Sequence, residues 1–138
     1  MAIRIYNAVA ATAADAVVDS VDDGAGAGKV EIRSGAQPAV NGALTGTLLA
    51  TFTLSDPAFG NAAADGTDAT AAGASFPKAT TGAADGTAGY GAVLDSDDNV
   101  KWTGVCGQGS GDFNLSNTSI ANGQTVNLNS LNYNFLQA

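Results

Sequence analysis

From Val30 onward, large apolar side chains recur at every second position, in short runs cut off by Gly, Pro, Asn and Asp. A period of two places alternate residues on opposite faces of a strand, and the interruptions supply the turns. The pattern therefore commits the chain to a mostly β fold. Lys29-Val30-Glu31-Ile32-Arg33 directs Val30 and Ile32 inward and its three charges outward. After a loop from Ser34 to Gly46, Leu48, Ala50, Phe52 and Leu54 share a face opposite Thr51 and Thr53. Asp56-Pro57 ends that strand, because proline has no N–H to give a ladder.

The clearest hairpin joins Thr87–Leu94 to Val100–Cys106 through the polar turn Asp95-Ser96-Asp97-Asp98-Asn99. Its expected register sets Leu94 against Val100, Ala92 against Trp102, and Tyr90 over the bare Gly104. Asp112–Leu115 opens another strand with Phe113 and Leu115 inward, and Asn122-Gly123 marks a turn. The last strand covers Thr125 to Leu136. Val126 and Leu128 sit on even positions but Leu131, Tyr133 and Phe135 on odd ones, so the face flips and predicts a β-bulge at Asn129-Ser130. Asn61 to Ala74 has little to bury and reads as a surface loop or weak edge strand. In Ser75–Thr80, Pro77 confines any strand to an edge.

One segment before the strands is helical in pattern. Ala14, Val17, Val18 and Val21 share a face, with Asp15, Asp19 and Asp22 opposite. Thr12 followed by Asp15 reads as a capping-box variant, and Gly24 as a left-handed stop. These limits give one short helix, about 12–22. With about seven or eight strands behind it, the expected architecture is a single domain over 1–138, an antiparallel β-sandwich or jelly roll.

Alanine makes up much of the 45% apolar content, so the core rests on few large residues and association with a partner would add stability. The net charge is −8, with five basic residues scattered along the chain. Nucleic-acid binding needs clustered Lys and Arg, and an acidic membrane surface would repel such a chain, so neither is an expected partner. No apolar run is long enough for a membrane span, and no h-region follows the first residues. The expectation is synthesis in a cytoplasm without a signal peptide.

The chemistry of catalysis is thinly supplied. There is no His, and Cys106 is the only cysteine. A lone thiol has no imidazole to activate it and no disulfide partner, and reads as a small buried hydrophobe. Asp22-Asp23 and Asp97-Asp98 are adjacent carboxylates that point apart on turns. Asp95–Asn99 lacks the Gly and Glu of a calcium loop. Gly24-Ala25-Gly26-Ala27-Gly28-Lys29 follows a helix and has no Ser or Thr after the lysine, so it is a connector and not a phosphate loop. Trp102, in an alternating strand, reads as core. No catalytic residue, metal or cofactor is assigned, and the chain is expected not to be an enzyme.

Several stretches resemble a family of small tailed-phage virion proteins. They are Ile32-Arg33-Ser34-Gly35-Ala36-Gln37-Pro38, Gly46-Thr47-Leu48-Leu49-Ala50-Thr51 and Leu54-Ser55-Asp56-Pro57-Ala58-Phe59-Gly60. Gly86-Thr87-Ala88, Val100-Lys101-Trp102-Thr103-Gly104-Val105 and Asp112-Phe113-Asn114-Leu115 belong to the same likeness, as does Ile120 to Tyr133. It spans roughly 10–134 and departs at Gly89-Tyr90-Gly91, where the family pattern is a fuller aromatic and basic strand. The resemblance implies a jelly-roll cement or decoration protein on the capsid exterior of the virion, with the major capsid protein as partner and a homo-oligomer, trimer ahead of dimer, as its state. The competing expectation is a virion-borne host-recognition or carbohydrate-binding module, whose exposed aromatics would be Tyr6, Phe59 and Tyr90. Ile3, Ile5 and Tyr6, flanking Arg4, are the candidate partner-binding residues. The segment 1–7 is either the first strand of the domain's own sheet or an arm that pairs with a neighbour.

Overall fold

In the computed structural model, which describes residues 3–137, the period-two runs form ten strands. A helix, α1 (Asn7–Asp19), runs into a 3-10 turn at Ser20–Asp22. The strands are β1 (Lys29–Ser34), β2 (Leu48–Thr53), β3 (Ala63–Ala64), β4 (Asp68–Ala72) and β5 (Lys78–Thr81). Then follow β6 (Gly86–Leu94), β7 (Val100–Gln108), β8 (Phe113–Leu115), β9 (Ser119–Ile120) and β10 (Thr125–Leu136).

The fold is mostly β, but the strands make one mixed, strongly curled half-barrel sheet and not the two facing sheets expected of an antiparallel sandwich or jelly roll. The order is β2-β1-β6-β7-β8-β10-β4-β3, with β5 joined to β10 and β9 to β6. The pair β7–β8 is parallel and the other ladders antiparallel. Strand β10 makes the curl possible. Its first half carries β5 and β8, and its second half carries β4. The predicted bulge falls between Leu128 and Ser130, at the changeover, and bends the strand there. Phe52, Ile32, Leu49, Leu115, Leu128 and Leu131 fill the hollow of the curl.

The helix begins five residues before the expected start at Thr12. Thr12 Oγ1 donates to the Ala8 carbonyl at 2.9 Å, so it lies inside the helix and caps nothing. The alanines before it are strong helix formers and carry the helix back to Asn7. The acidic face is also not simply solvated. Asp15 Oδ1 accepts the Ala62 N–H at 2.6 Å, and Asp22 Oδ1 accepts the Ala58 N–H at 2.9 Å. These two carboxylates pin the 58–62 segment along the helix.

That segment leads into the stretch expected to be a weak edge or loop. Instead β4 pairs five residues of β10 and lies under α1. Ala10, Ala14 and Ala69 are all fully buried in a small cluster of their own, with Ile5, Tyr133 and Phe135 against it. Small side chains let a helix approach a sheet closely, so here alanine is core.

The hairpin forms with Leu94 opposite Val100 as expected, but a bulge between Val93 and Leu94 shifts the rest by one. Val93 thus faces Trp102, Gly91 faces Gly104, and Tyr90 faces Val105. The ring covering the bare glycines is that of Phe113. A Cβ on Gly91 would lie 2.8 Å from that ring, and one on Gly104 3.0 Å. Tyr90 points to the opposite face of the sheet. Its hydroxyl donates to the Thr45 carbonyl at 2.6 Å and accepts the Thr45 N–H at 2.9 Å, anchoring the 35–47 loop over β6. Tyr90→Phe is expected to cost about 1–3 kcal/mol by removing both hydrogen bonds to Thr45. Urea unfolding measures the loss, and faster amide exchange confined to 35–47 identifies its source.

Candidate functional site

The sheet forks between β7 and β10. Strand β8 separates them over three residues, pairing Cys106–Gln108 on one side and Leu128–Leu131 on the other. Before Phe113 the chain turns away through Gly111, whose φ is +81°. Among the described residues, Val100–Gly104 is then paired only with β6, and Asn132–Leu136 only with β4.

The backbone directions follow from the bonds at the neck of the fork. Val105 accepts the Asp112 N–H at 2.9 Å, and its own N–H donates to Asp112 Oδ2 at 2.9 Å, so Val105 faces away from β6. Alternation in an antiparallel ladder turns the N–H and C=O of Thr103 the same way, into the gap. On β10, the Leu131 carbonyl accepts from Gly73 and the Gln137 N–H donates to Thr67. Odd positions therefore serve β4, and Asn132 and Asn134 present their backbone groups to the gap.

The gap is a depression of about 280 Å³, with Asp112 at its head and Thr103, Asn132 and Asn134 along its rim. Its inner wall is aromatic. Trp102 lies 5.4 Å from Tyr133 and 5.7 Å from Phe59, ring centre to ring centre, in tilted pairs. Trp102 packs on the core, as the sequence suggested, yet it also lines this depression and the next one.

The second depression, about 540 Å³, lies on the outer side of β7 beneath the 37–42 loop. Gln37 Nε2 donates to Thr103 Oγ1 at 2.8 Å and holds the loop at that distance. Val40, 93% exposed, and Val100 line this groove.

The candidate partner-binding residues lie elsewhere, where the two ends of the described chain meet. Ile5 donates its N–H to the Gln137 carbonyl and accepts from Gln137 Nε2, which also donates to Asn7 Oδ1. Ile5 is half-buried against the alanine cluster, whereas Ile3 and Tyr6 are 64% and 84% exposed. Residues 3–6 form no ladder strand, and Met1 and Ala2 lie outside the described residues. Of the aromatics considered as a sugar platform, Phe59 and Tyr90 are buried, Phe59 under Trp102 and Tyr90 under the 35–47 loop. Tyr6 alone is exposed.

The Asp95–Asn99 turn is held from within. Asp95, 2% exposed, accepts from the Asp97 and Asn99 N–H groups, from Asn99 Nδ2, and from Lys101 Nζ at 3.2 Å. Asn99's side-chain bond leads the set that holds the Asp95 carboxyl down at about 2, against an ordinary 3.8. A depressed carboxyl contributes its full stability above 3.8 and loses it as pH falls through about 2. Asp95→Asn is expected to flatten the acid limb of a stability-against-pH curve in that window. These oxygens already have donors, so chelator is expected to leave the melting temperature unchanged. Among the described residues no three or more of His, Cys, Asp and Glu come together in a way that could hold a metal ion. Burial first, and the Asp112 charge second, push the Cys106 thiol up to about 12, far from a reactive thiolate.

Sequence reasoning missed Thr103, Asp112, Asn132 and Asn134. The available signal was the polar alternation Asn132, Asn134 between Leu131, Tyr133 and Phe135. Comparison with protein-family models, curated proteins and solved structures found no match to this chain.

Proposed function

We propose that this chain is a structural protein of a tailed-bacteriophage particle that binds and stabilises the outer surface of the capsid, with the major capsid protein as its partner and a trimer as its working state. The observation that carries this reading is the corner where the two ends of the described chain meet. Ile3, Tyr6, Val9 and Leu136 are 64%, 84%, 62% and 69% exposed there. Large apolar side chains held outward on a framework tied by Gln137 form a contact surface, and covering them removes their area from water at about 25 cal/mol per Å².

The charge of −8 supports the exterior side of the shell, since packaged DNA would repel it. The motif resemblance supports the particle. The trimer rests on the local symmetry of capsid sites, where self-complementary contacts close.

Protease or antibody applied to intact particles is expected to reach the protein, and complete protection until the shell is broken would refute the exterior location. Ile3→Asp with Tyr6→Ser spares the Ile5–Gln137 fastening and is expected to yield a folded protein that binds particles more weakly. Unchanged binding would remove the corner from the contact. Light scattering at micromolar concentration tests the trimer.

A further inference from the structure

The fork between β7 and β10 has the features of a vacant strand position. Strand β8 occupies that line for three residues, and past Asp112 the line continues as the depression described above, with none of the described residues in it. Thr103 presents its N–H and C=O from one side, and Asn132 and Asn134 present theirs from the other. Backbone donors and acceptors on two facing edges match an extended polypeptide backbone.

From these edges we infer that the fork is a strand-addition site, which takes a short extended segment of another protein as an interior strand of this sheet. At about 3.3 Å per residue, the run beside Thr103 to Leu136 holds roughly four residues. Alternate side chains of the guest meet two different walls. Those turned inward lie on Trp102 and Tyr133 and suit a β-branched or other apolar residue. Those turned outward pass Thr103, Asn132 and Asn134 and suit Thr or Ser. Asp112 is exposed at the head of the slot in a chain of net charge −8, so the guest carries Lys or Arg at the end that reaches it. The guest is a foreign segment because the chain's own exposed extended piece, Ile3–Tyr6, is fastened through Ile5 to Gln137. This inference does not depend on the particle reading.

The probe is a synthetic peptide, acetyl-Lys-Val-Thr-Val-Lys-amide, basic at both ends so that either direction of insertion places a lysine by Asp112. Amide exchange is followed by NMR on the full chain at millimolar peptide. The expected result is slowing of the Thr103, Asn132 and Asn134 amides by about tenfold, with Trp102 and Tyr133, already bonded in their ladders, unchanged. The same peptide with alternate amides N-methylated, and the one with glutamate ends, are expected to produce no such slowing. No slowing with the first peptide, equal slowing with the N-methylated one, or slowing only around Val40 and Val100 would overturn the inference. So would slowing that rises with protein concentration alone, which would make the guest a second copy.

Discussion

Phe113→Ala is expected to be the most damaging single truncation in the molecule, at about 3–5 kcal/mol. The ring is fully buried and lies on Gly91 and Gly104, which offer no side chain that could lean in to fill the space. Phe113 is also the first residue of β8, so the cavity opens at the neck of the fork. Urea unfolding measures the loss. A second substitution separates cavity from general disturbance. Gly91→Ala alone meets the ring at 2.8 Å and destabilises, whereas in the Phe113→Ala background the added methyl enters free space. The two changes together are therefore expected to cost less than their sum. Additive losses would mean that the ring does not pack on the glycines.

Ala69→Leu carries the second large effect, about 1–3 kcal/mol, in the opposite sense of volume. Ala69, Ala10 and Ala14 are fully buried with no space between helix and sheet for three more carbons. Relief requires α1 to lift from β4, and lifting strains the bond from the Ala62 N–H to Asp15. Loss of amide protection is then expected in α1 and in β3–β4 ahead of the rest of the sheet. A stabilised or unchanged protein would show that the contact is looser than the burial of these alanines states.

The strands were legible where bulk alternates with polarity. Val30 and Ile32 are both fully buried, the last strand has the bounds read from its pattern, and the flip from even to odd positions located its bulge. Alanine defeated the same reading in β4, because a residue at home in helix, strand and loop reveals neither period nor burial. Thr12 was misplaced for a related reason. Its hydroxyl bonds a carbonyl one turn back as readily as it caps an N-terminus. Asp15 and Asp22 are half-buried on the flank of the apolar stripe and not opposite it, and their N–H partners come from a loop some forty residues later in the chain, which no local pattern announces. The fork is of this kind too. Thr103, Asn132 and Asn134 matter through what does not pair with them, and vacancy is a property of the assembled sheet.

The bonding of β10 also sets a schedule. Strands β4 and β5 are made well before it, yet their ladders with β10 need residues 125–136. During synthesis, Asp68–Ala72 and Lys78–Thr81 leave the ribosome with their long-range partner still unmade, while β1, β2, β6 and β7 can settle against one another and β3–β4, β6–β9 and β7–β8 can pair. The edges of β4, β5 and β8 that face β10 stay open until residues 125–136 are clear of the exit tunnel. The interval rewards sequences whose waiting strands are short and built from alanine and threonine, because such edges are poor templates for joining a neighbouring nascent chain. Small side chains, costly to a core, protect this chain while it is unfinished.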